Sequence, residues 1–305
     1  MNPFPAAPNP CTCQASESRP IEQPLRPLAL TVYPEGGLCN RMRVVASALA
    51  FAKSQPLSRV CVVWRDNSEC AARFTDLFLP LLPDGSQAVC PPNFSLRPAR
   101  MADLPSVRRL PLPRRSTTAF GTGRKGADDF LALLQSAPRR LYVATCYEFF
   151  PYAGIVNAAD VFRPTPSLQQ RIDALTASFP PHTVGLHIRR TDHRAAIASS
   201  PTDAFVNLTE RLIATHADTH FFLATDDELL RRRFVEKYGE RCHFAPSAPL
   251  TRTTAEGMFA AVCDLYALAH CSHIYGSIGS SYSDTAAELF GAPLSYVSQD
   301  GAGSE

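Results

Sequence analysis

Glycine is scarce in this chain and neither sign of charge prevails. The 305 residues hold 15 glycines, below the ordinary ~7%. Thirty Lys and Arg against 28 Asp and Glu leave a formal charge of +2, which removes the electrostatic case for a nucleic-acid binder. No run approaches the ~18–20 uninterrupted apolar residues of a membrane span. The first 27 residues carry seven prolines and no apolar h-region, so they read as a flexible Pro-rich leader and not as a secretory signal. Ten cysteines are too few for a disulfide scaffold at this length. Cys11-Thr12-Cys13 lacks both zinc-knuckle spacing and a partner pair. Cys61 and Cys146 sit in apolar runs, as buried free thiols do. A soluble protein of the reducing cytoplasm, with no metal, is the expectation.

What the chain has in quantity is proline and apolar residues. Its 27 prolines are nearly twice the usual ~5%, with no collagen period. Hydrophobic residues make up 45% and charged residues 19%, enough for a sizeable core and far from a disordered composition. The length suits one large domain or two ordinary ones. Strands are predicted at Leu28–Tyr33, Val60–Trp64 and Leu141–Cys146, with helices over Arg41–Lys53, Ala71–Leu77 and Ser167–Ser178. Between Arg97 and Lys125 lie eight basic residues, one acid (Asp103) and four prolines, which predicts a long basic loop, either solvated or poised for an acidic partner. Beyond Phe179-Pro180-Pro181 strands and helices alternate. Strands are expected at Val184–Ile188, Phe221–Ala224, Cys242–Ala245, His273–Gly276 and Leu294–Val297. Helices are expected at Asp203–Thr215, Glu228–Tyr238, Ala255–Ala269 and Tyr282–Phe290. Short apolar strands interleaved with helices give an α/β fold with a parallel doubly wound sheet.

In such sheets ligands bind at the carboxyl ends of the strands, and there the polar residues collect. The strand ending at Ile188 runs into Arg189-Arg190-Thr191-Asp192-His193, the one ending at Ala224 into Thr225-Asp226-Asp227, and the one ending at Gly276 into Ser277-Ile278-Gly279-Ser280-Ser281. Arginine forks match phosphate oxygens bidentately, and serines opening a helix offer hydroxyls and unpaired N–H groups to an anion. The coincidence outlines a nucleotide-diphosphate pocket. Each motif taken singly also has a structural reading, as a salt bridge or a helix cap.

These residues resemble a family. Gly36-Gly37-Leu38-Cys39-Asn40-Arg41-Met42-Arg43 is similar to the Gly-Gly-Leu-Gly-Asn opening of fucosyltransferases. His187-Ile188-Arg189-Arg190-Thr191-Asp192 resembles the His-x-Arg-Arg-Thr-Asp motif of the alpha-1,6-fucosyltransferases, bacterial nodulation enzymes included. Phe222-Leu223-Ala224-Thr225-Asp226-Asp227 resembles their second motif, and Asp264 followed by Ser280 their third. The resemblance implies a GT-B architecture of two Rossmann-like domains facing across a cleft. It also implies metal-independent, inverting transfer of fucose from GDP-fucose to a glycan or protein hydroxyl, with the donor as substrate and no cofactor. Carried over by position, Arg189 would be catalytic, holding the β-phosphate as GDP leaves. His187, Arg190, Asp226, Asp227, Asp264, Ser280, Ser281, Gly37, Asn40 and Arg41 would line the donor site, with Asp264 on the guanine edge and the His187 backbone supporting the base.

Two departures follow. Cys39 stands where the motif has glycine, so a positive φ there would be strained. No carboxylate follows the arginine motif in Arg194–Ala198, which leaves Glu35, Asp192 and His193 as candidate general bases; Asp192 equally suits a structural pairing with Arg190. The expected organisation is a leader (1–27), an acceptor-side domain (28–180) with the basic loop (97–125), and a donor domain (181–305). The alternatives are a non-catalytic GDP-sugar or glycan binder on the same scaffold and a transferase of another GDP-sugar. Gly121–Gly126 mimics a dinucleotide fingerprint but follows no strand. His216, His220 and His243 read as surface residues, and Asn93-Phe94-Ser95 and Asn207-Leu208-Thr209 as chance glycosylation triplets.

Overall fold

A computed structural model of the chain describes residues 27–81, 90–100, 103, 116–117, 130–132, 134–135, 139–191, 194–245, 249–299 and 301–304. Its strands form two sheets. The first contains β1 (Ala29–Pro34), β2 (Arg59–Trp64), β3 (Phe94–Pro98), β4 (Ser116–Thr117) and β5 (Arg140–Thr145), all parallel, in the order β3-β2-β1-β5-β4. Helix α1 (Leu38–Ser54) links β1 to β2. It buries thirteen of its residues, alanines at 46, 48, 50 and 52 among them, because it is covered on nearly every side and small residues let its neighbours close in. Phe51 meets Phe130 and Phe150 edge to face, each at 5.4 Å. Helix α2 is one turn, Phe74–Leu77, shorter than the predicted Ala71–Leu77. Ala71 N–H is taken by the Arg252 carbonyl (3.0 Å), and the helix starts only where Asp76 accepts from Arg73 N–H (3.0 Å).

Two helices, α3 (Ala158–Val161) and α4 (Pro166–Thr176), lead into the second sheet. That sheet comprises β6 (Thr183–Ile188), β7 (His220–Thr225), β8 (Cys242–His243), β9 (Ile274–Ser277), β10 (Leu294–Ser298) and β11 (Gly301–Ser304), in the order β11-β10-β9-β6-β7-β8. Strands β6 to β10 are parallel, as expected, and β11 adds antiparallel to β10. The Gly-Ala-Gly-Ser of β11 has no apolar alternation to announce a strand. β8 ends two residues before the predicted Ala245. The crossovers are α5 (Arg194–Ser199), unforeseen, then α6 (Thr202–Thr215), α7 (Glu228–Tyr238), α8 (Ala255–Ala269) and α9 (Ser281–Phe290). The last three fall within one residue of their predicted bounds.

Alternation sorts the second sheet's faces. Phe221 and Leu223 pack with Phe205, Leu208, Leu230 and Phe234 from α6 and α7, whereas Phe222 and Ala224 join Met258, Val262 and Leu265 of α8. That second cluster is continuous with the core of the first sheet. α4 packs on α8 and α1 on α9, Tyr266 Oη donates to the Phe162 carbonyl, and Arg43 pairs with Asp284 at 3.3 Å.

Arg97, the first residue of the basic stretch, belongs to β3 and grips Asp103 with both arms (2.7 and 3.0 Å); most of that stretch and Gly121–Gly126 lie outside the described residues. The Asn93 amide donates to the carbonyls of Ala52, Gln55 and Ser58, so it is a structural fastener. His220 and His243 are half-buried partners, with Nδ1 and Nε2 3.0 Å apart, since parallel pairing of β7 with the short β8 brings them side by side.

Candidate functional site

The order of the second sheet reverses between β6 and β9, so its switch point lies at their carboxyl ends. In-register pairing sets Ile188 opposite Thr225, which brings Arg189 and Asp226 to the same rim one residue later. Asp226 acts as a clamp. Its Oδ1 accepts from Arg190 N–H (2.7 Å), and its Oδ2 accepts from Thr191 N–H (3.2 Å), Thr191 Oγ1 (2.6 Å) and Arg189 Nη1 (3.1 Å). From the β9 side, Ser277 Oγ accepts Arg189 N–H at 3.1 Å and donates to the His187 carbonyl at 3.3 Å. Arg189 is thus held by its N–H on Ser277 and by its guanidinium on Asp226, with the side chain 28% exposed at the rim.

Arg190 is committed elsewhere. Its fork donates to Thr202 Oγ1 (3.0 Å) and to the carbonyls of Arg189 (2.6 Å) and Ser200 (2.9 Å), above the Phe205 ring. It fastens the end of β6 to the turn before α6. Ser200 Oγ in turn accepts Ile278 N–H at 2.9 Å, so the β6 and β9 loops share one scaffold. Asp227 caps α7, accepting from Leu229 and Leu230 N–H (2.9 and 3.1 Å).

Ser280 is the N-cap residue of α9, yet its side chain makes no capping bond; it follows the carboxyl end of β9, the strand paired with β6. Gly276 lets that helix approach, since a Cβ there would lie 2.3 Å from Ser283 Oγ. Ser283 Oγ is 2.6 Å from His187 Nδ1, and the buried imidazole lies 4.9 Å from the Tyr282 ring. Burial, reinforced by Arg189, pushes the His187 pKa down to about 3, so the ring is neutral and structural. Tyr282 lies within the influence of both Asp264 and Arg189, which ties the third motif to the first. Asp264, on α8, has Oδ1 shut from solvent with no hydrogen bond. Burial raises its pKa to about 7 against the opposing charges of Arg231 and Arg171. An orphaned acceptor of this kind costs about 1–3 kcal/mol, and a donor from a ligand would relieve it.

The other predicted residues form a second group at the β1–α1 corner. Gly36 has φ +76°, the left-handed turn that glycine tolerates, and its N–H meets Glu69 Oε2 at 3.2 Å. Gly37 is the N-cap of α1, where a Cβ would lie 3.8 Å from Arg252 Nη1. Asn40 lies against Gly36. Arg41 is fully buried; it donates to the Gly36 carbonyl (2.7 Å), to the Arg65 carbonyl and to Asn67 Oδ1 (2.7 Å), bracing the turn. Glu35, half-buried, follows β1 with its N–H on the Thr145 carbonyl (2.9 Å). The strain anticipated at Cys39 does not arise, because the helix has already begun at Leu38 and the positive φ falls at Gly36. The Cys39 thiol is buried, and burial lifts its pKa to about 12.

The structure therefore brings Arg189, Asp226, Ser280 and Ser281 to one rim with His187 and Asp264 behind it, and sets Glu35, Gly37, Asn40 and Arg41 at the other sheet's corner. Asp192 and His193 lie outside the described residues. The fasteners Ser200, Thr202 and Ser277 are ordinary serines and threonines in sequence; only Ser277 had a signal, as the first residue past the predicted strand His273–Gly276. Among the described residues no group of three His, Cys, Asp or Glu side chains could hold a metal ion, and no helix is long and apolar enough to cross a membrane.

No protein-family model and no curated protein matches the chain. Solved structures do. The fucosyltransferase NodZ from Bradyrhizobium is similar with a TM-score of 0.59 at 17% identity, over 92% of this chain and 97% of that one. A mutant of Arabidopsis thaliana FUT1 in complex with GDP gives 0.55 at 11% identity, over 89% and 70%. POFUT1 in its apo-form gives 0.54 at 10% identity, over 90% and 98%. At these identities the likeness is one of fold. It is the GT-B fold, and the neighbours are the group the sequence motifs resemble.

Proposed function

We propose that the chain is a glycosyltransferase that moves fucose from GDP-fucose to a hydroxyl of a glycan or protein acceptor, with inversion and without a metal. The observation that carries this reading is Arg189 at the switch point just past β6, its N–H on Ser277 Oγ and its guanidinium on Asp226. The structural neighbours include NodZ soaked with GDP-fucose, which supports the same donor. Residues 181–305 serve as the donor side and 28–180 as the acceptor side, in a reducing cytoplasm that suits the free thiols.

The acceptor oxygen attacks the anomeric carbon as the bond from that carbon to the β-phosphate oxygen breaks. The electron pair leaves on the phosphate and the acceptor proton passes to a base. Charge therefore builds on the leaving oxygen. Arg189, Ser280 and the N–H groups opening α9 are the donors that meet it, each worth about 2.7–4 kcal/mol if it acts as a preorganised oxyanion donor does. Asp264 accepts from the guanine edge. Glu35 and Asp192 are the candidate bases, with His193 a further one.

Transfer from GDP-fucose across an acceptor panel, with and without EDTA, tests the reading. Arg189→Ala abolishes transfer in a folded protein, and Arg189→Lys restores little because an ammonium cannot fork two oxygens. EDTA leaves the rate unchanged. Near wild-type turnover by Arg189→Ala would remove this residue from the mechanism, and GDP binding without turnover would favour the non-catalytic alternative.

A further inference from the structure

Helix α9 opens on Ser280 and Ser281, and the residues of its next two turns are tied to both sheets. Ser283 Oγ lies 2.6 Å from His187 Nδ1, and Tyr282 Oη donates to the Ala261 carbonyl (2.5 Å). At ~3.6 residues per turn, Asp284 and Glu288 share another side of the helix, away from Tyr282 and Ser283. Asp284 Oδ1 accepts from Tyr296 Oη of β10 (2.6 Å), which leaves Oδ2 for Arg43 Nη2 of α1 (3.3 Å). Glu288 Oε2 accepts from Tyr152 Oη, past β5 (2.9 Å). Arg43 and Tyr152 both come from the first sheet's part of the chain, so two of the ties on α9 cross from one sheet to the other.

Stability does not account for the Arg43 contact. It is a single 3.3 Å approach to an acid whose side chain is 36% exposed, and such pairs contribute little. What the contact fixes is geometry. Ser280 lies one turn before Asp284 with its side chain free of any capping bond. Over so short a span the backbone hydrogen bonds keep a helix rigid, so a shift at Asp284 is also a shift of Ser280 and of the N–H groups behind it.

We propose that Arg43, acting through Asp284, is a positioning residue that sets the head of α9 for the β-phosphate of a nucleoside diphosphate. Resting on the donor reading above, this role gives the acceptor side a hold on the diphosphate contact, although Arg43 itself need not touch the donor.

Calorimetric titration of the full chain with GDP and GMP tests this, since GMP lacks the β-phosphate. Arg43→Gln should lower GDP affinity about fivefold or more, part of what a hydrogen bond to a charged oxygen contributes, and leave GMP affinity unchanged. Arg43→Lys should restore most of the GDP/GMP ratio, because the contact to Asp284 is single. Asp284→Ala separates positioning from plain charge. Removing an acid from the first turn of α9 would by electrostatics alone raise diphosphate affinity, whereas loss of positioning lowers it. The double variant should lose no more than either single one, since both act through one contact. GMP affinity and circular dichroism report the fold of each variant, and Asp284→Ala reads the contact from its other end should Arg43→Gln fail to fold. An unchanged GDP/GMP ratio in folded Arg43→Gln, or GDP affinity raised by Asp284→Ala, overturns the positioning role and leaves the donor reading standing. A wild-type chain that binds no GDP overturns both.

Discussion

Arg189 must exchange partners if it is to meet a leaving diphosphate, and the arrangement around Asp226 lets it do so. Two backbone N–H groups and a hydroxyl still satisfy that carboxylate when the guanidinium turns away, so the exchange leaves no buried charge alone. Asp264 is the opposite case, with one carboxylate oxygen shut from solvent and unbonded. Its folded pKa stands near 7, above the ordinary ~3.9 of an unfolded aspartate. The folded state therefore binds the extra proton between those values, and stability falls as pH rises through about 4 to 7. Asp264→Asn should flatten that decline and melt higher than wild type at pH 8 without ligand, by scanning calorimetry. GDP binding has the reverse slope: affinity should drop as pH falls below about 7 and the acceptor is protonated. A pH-independent GDP affinity between 5.5 and 8 would contradict the role of Asp264. The types and order of these residues were readable in the chain. That the forks of Arg190 and Arg41 are engaged with carbonyls was not, because their partners lie 10 and 24 residues away.

At the scale of elements, caps and crossovers set where the chemistry sits. Helix α7 begins where Asp227 accepts two N–H groups, the pattern its Asp-Glu opening announces. Asp227→Ala should cost about 1 kcal/mol of stability, seen as a lower urea midpoint. It should change GDP affinity little; full loss of binding would give Asp227 a direct contact. Helix bounds in the second sheet were legible because apolar spacing and caps agree. The short β8 was not, since the run from Cys242 to Ala245 suits a longer strand.

Over the whole molecule, one apolar core runs through both sheets. The Arg43–Asp284 pair that also joins them has an acid 36% exposed, and exposed pairs are worth ~0–1 kcal/mol. Each large apolar side chain in the shared core contributes about 1.5–3 kcal/mol, so packing holds the two halves together. Thermal unfolding should show one calorimetric transition. Two separable transitions would mean that the α4–α8 and α1–α9 contacts add little.

The sequence alone determined most of the alternation of strands and helices beyond residue 181, because periodicity and turn residues act over a few neighbours. It also placed Arg189, Asp226 and Ser280 just past strand ends, where a parallel sheet must gather them at one rim. The tertiary structure decided which charged side chains remain for a ligand and which are consumed as fasteners. That choice depends on distances between segments far apart in the chain, and local spacing carries no information about them.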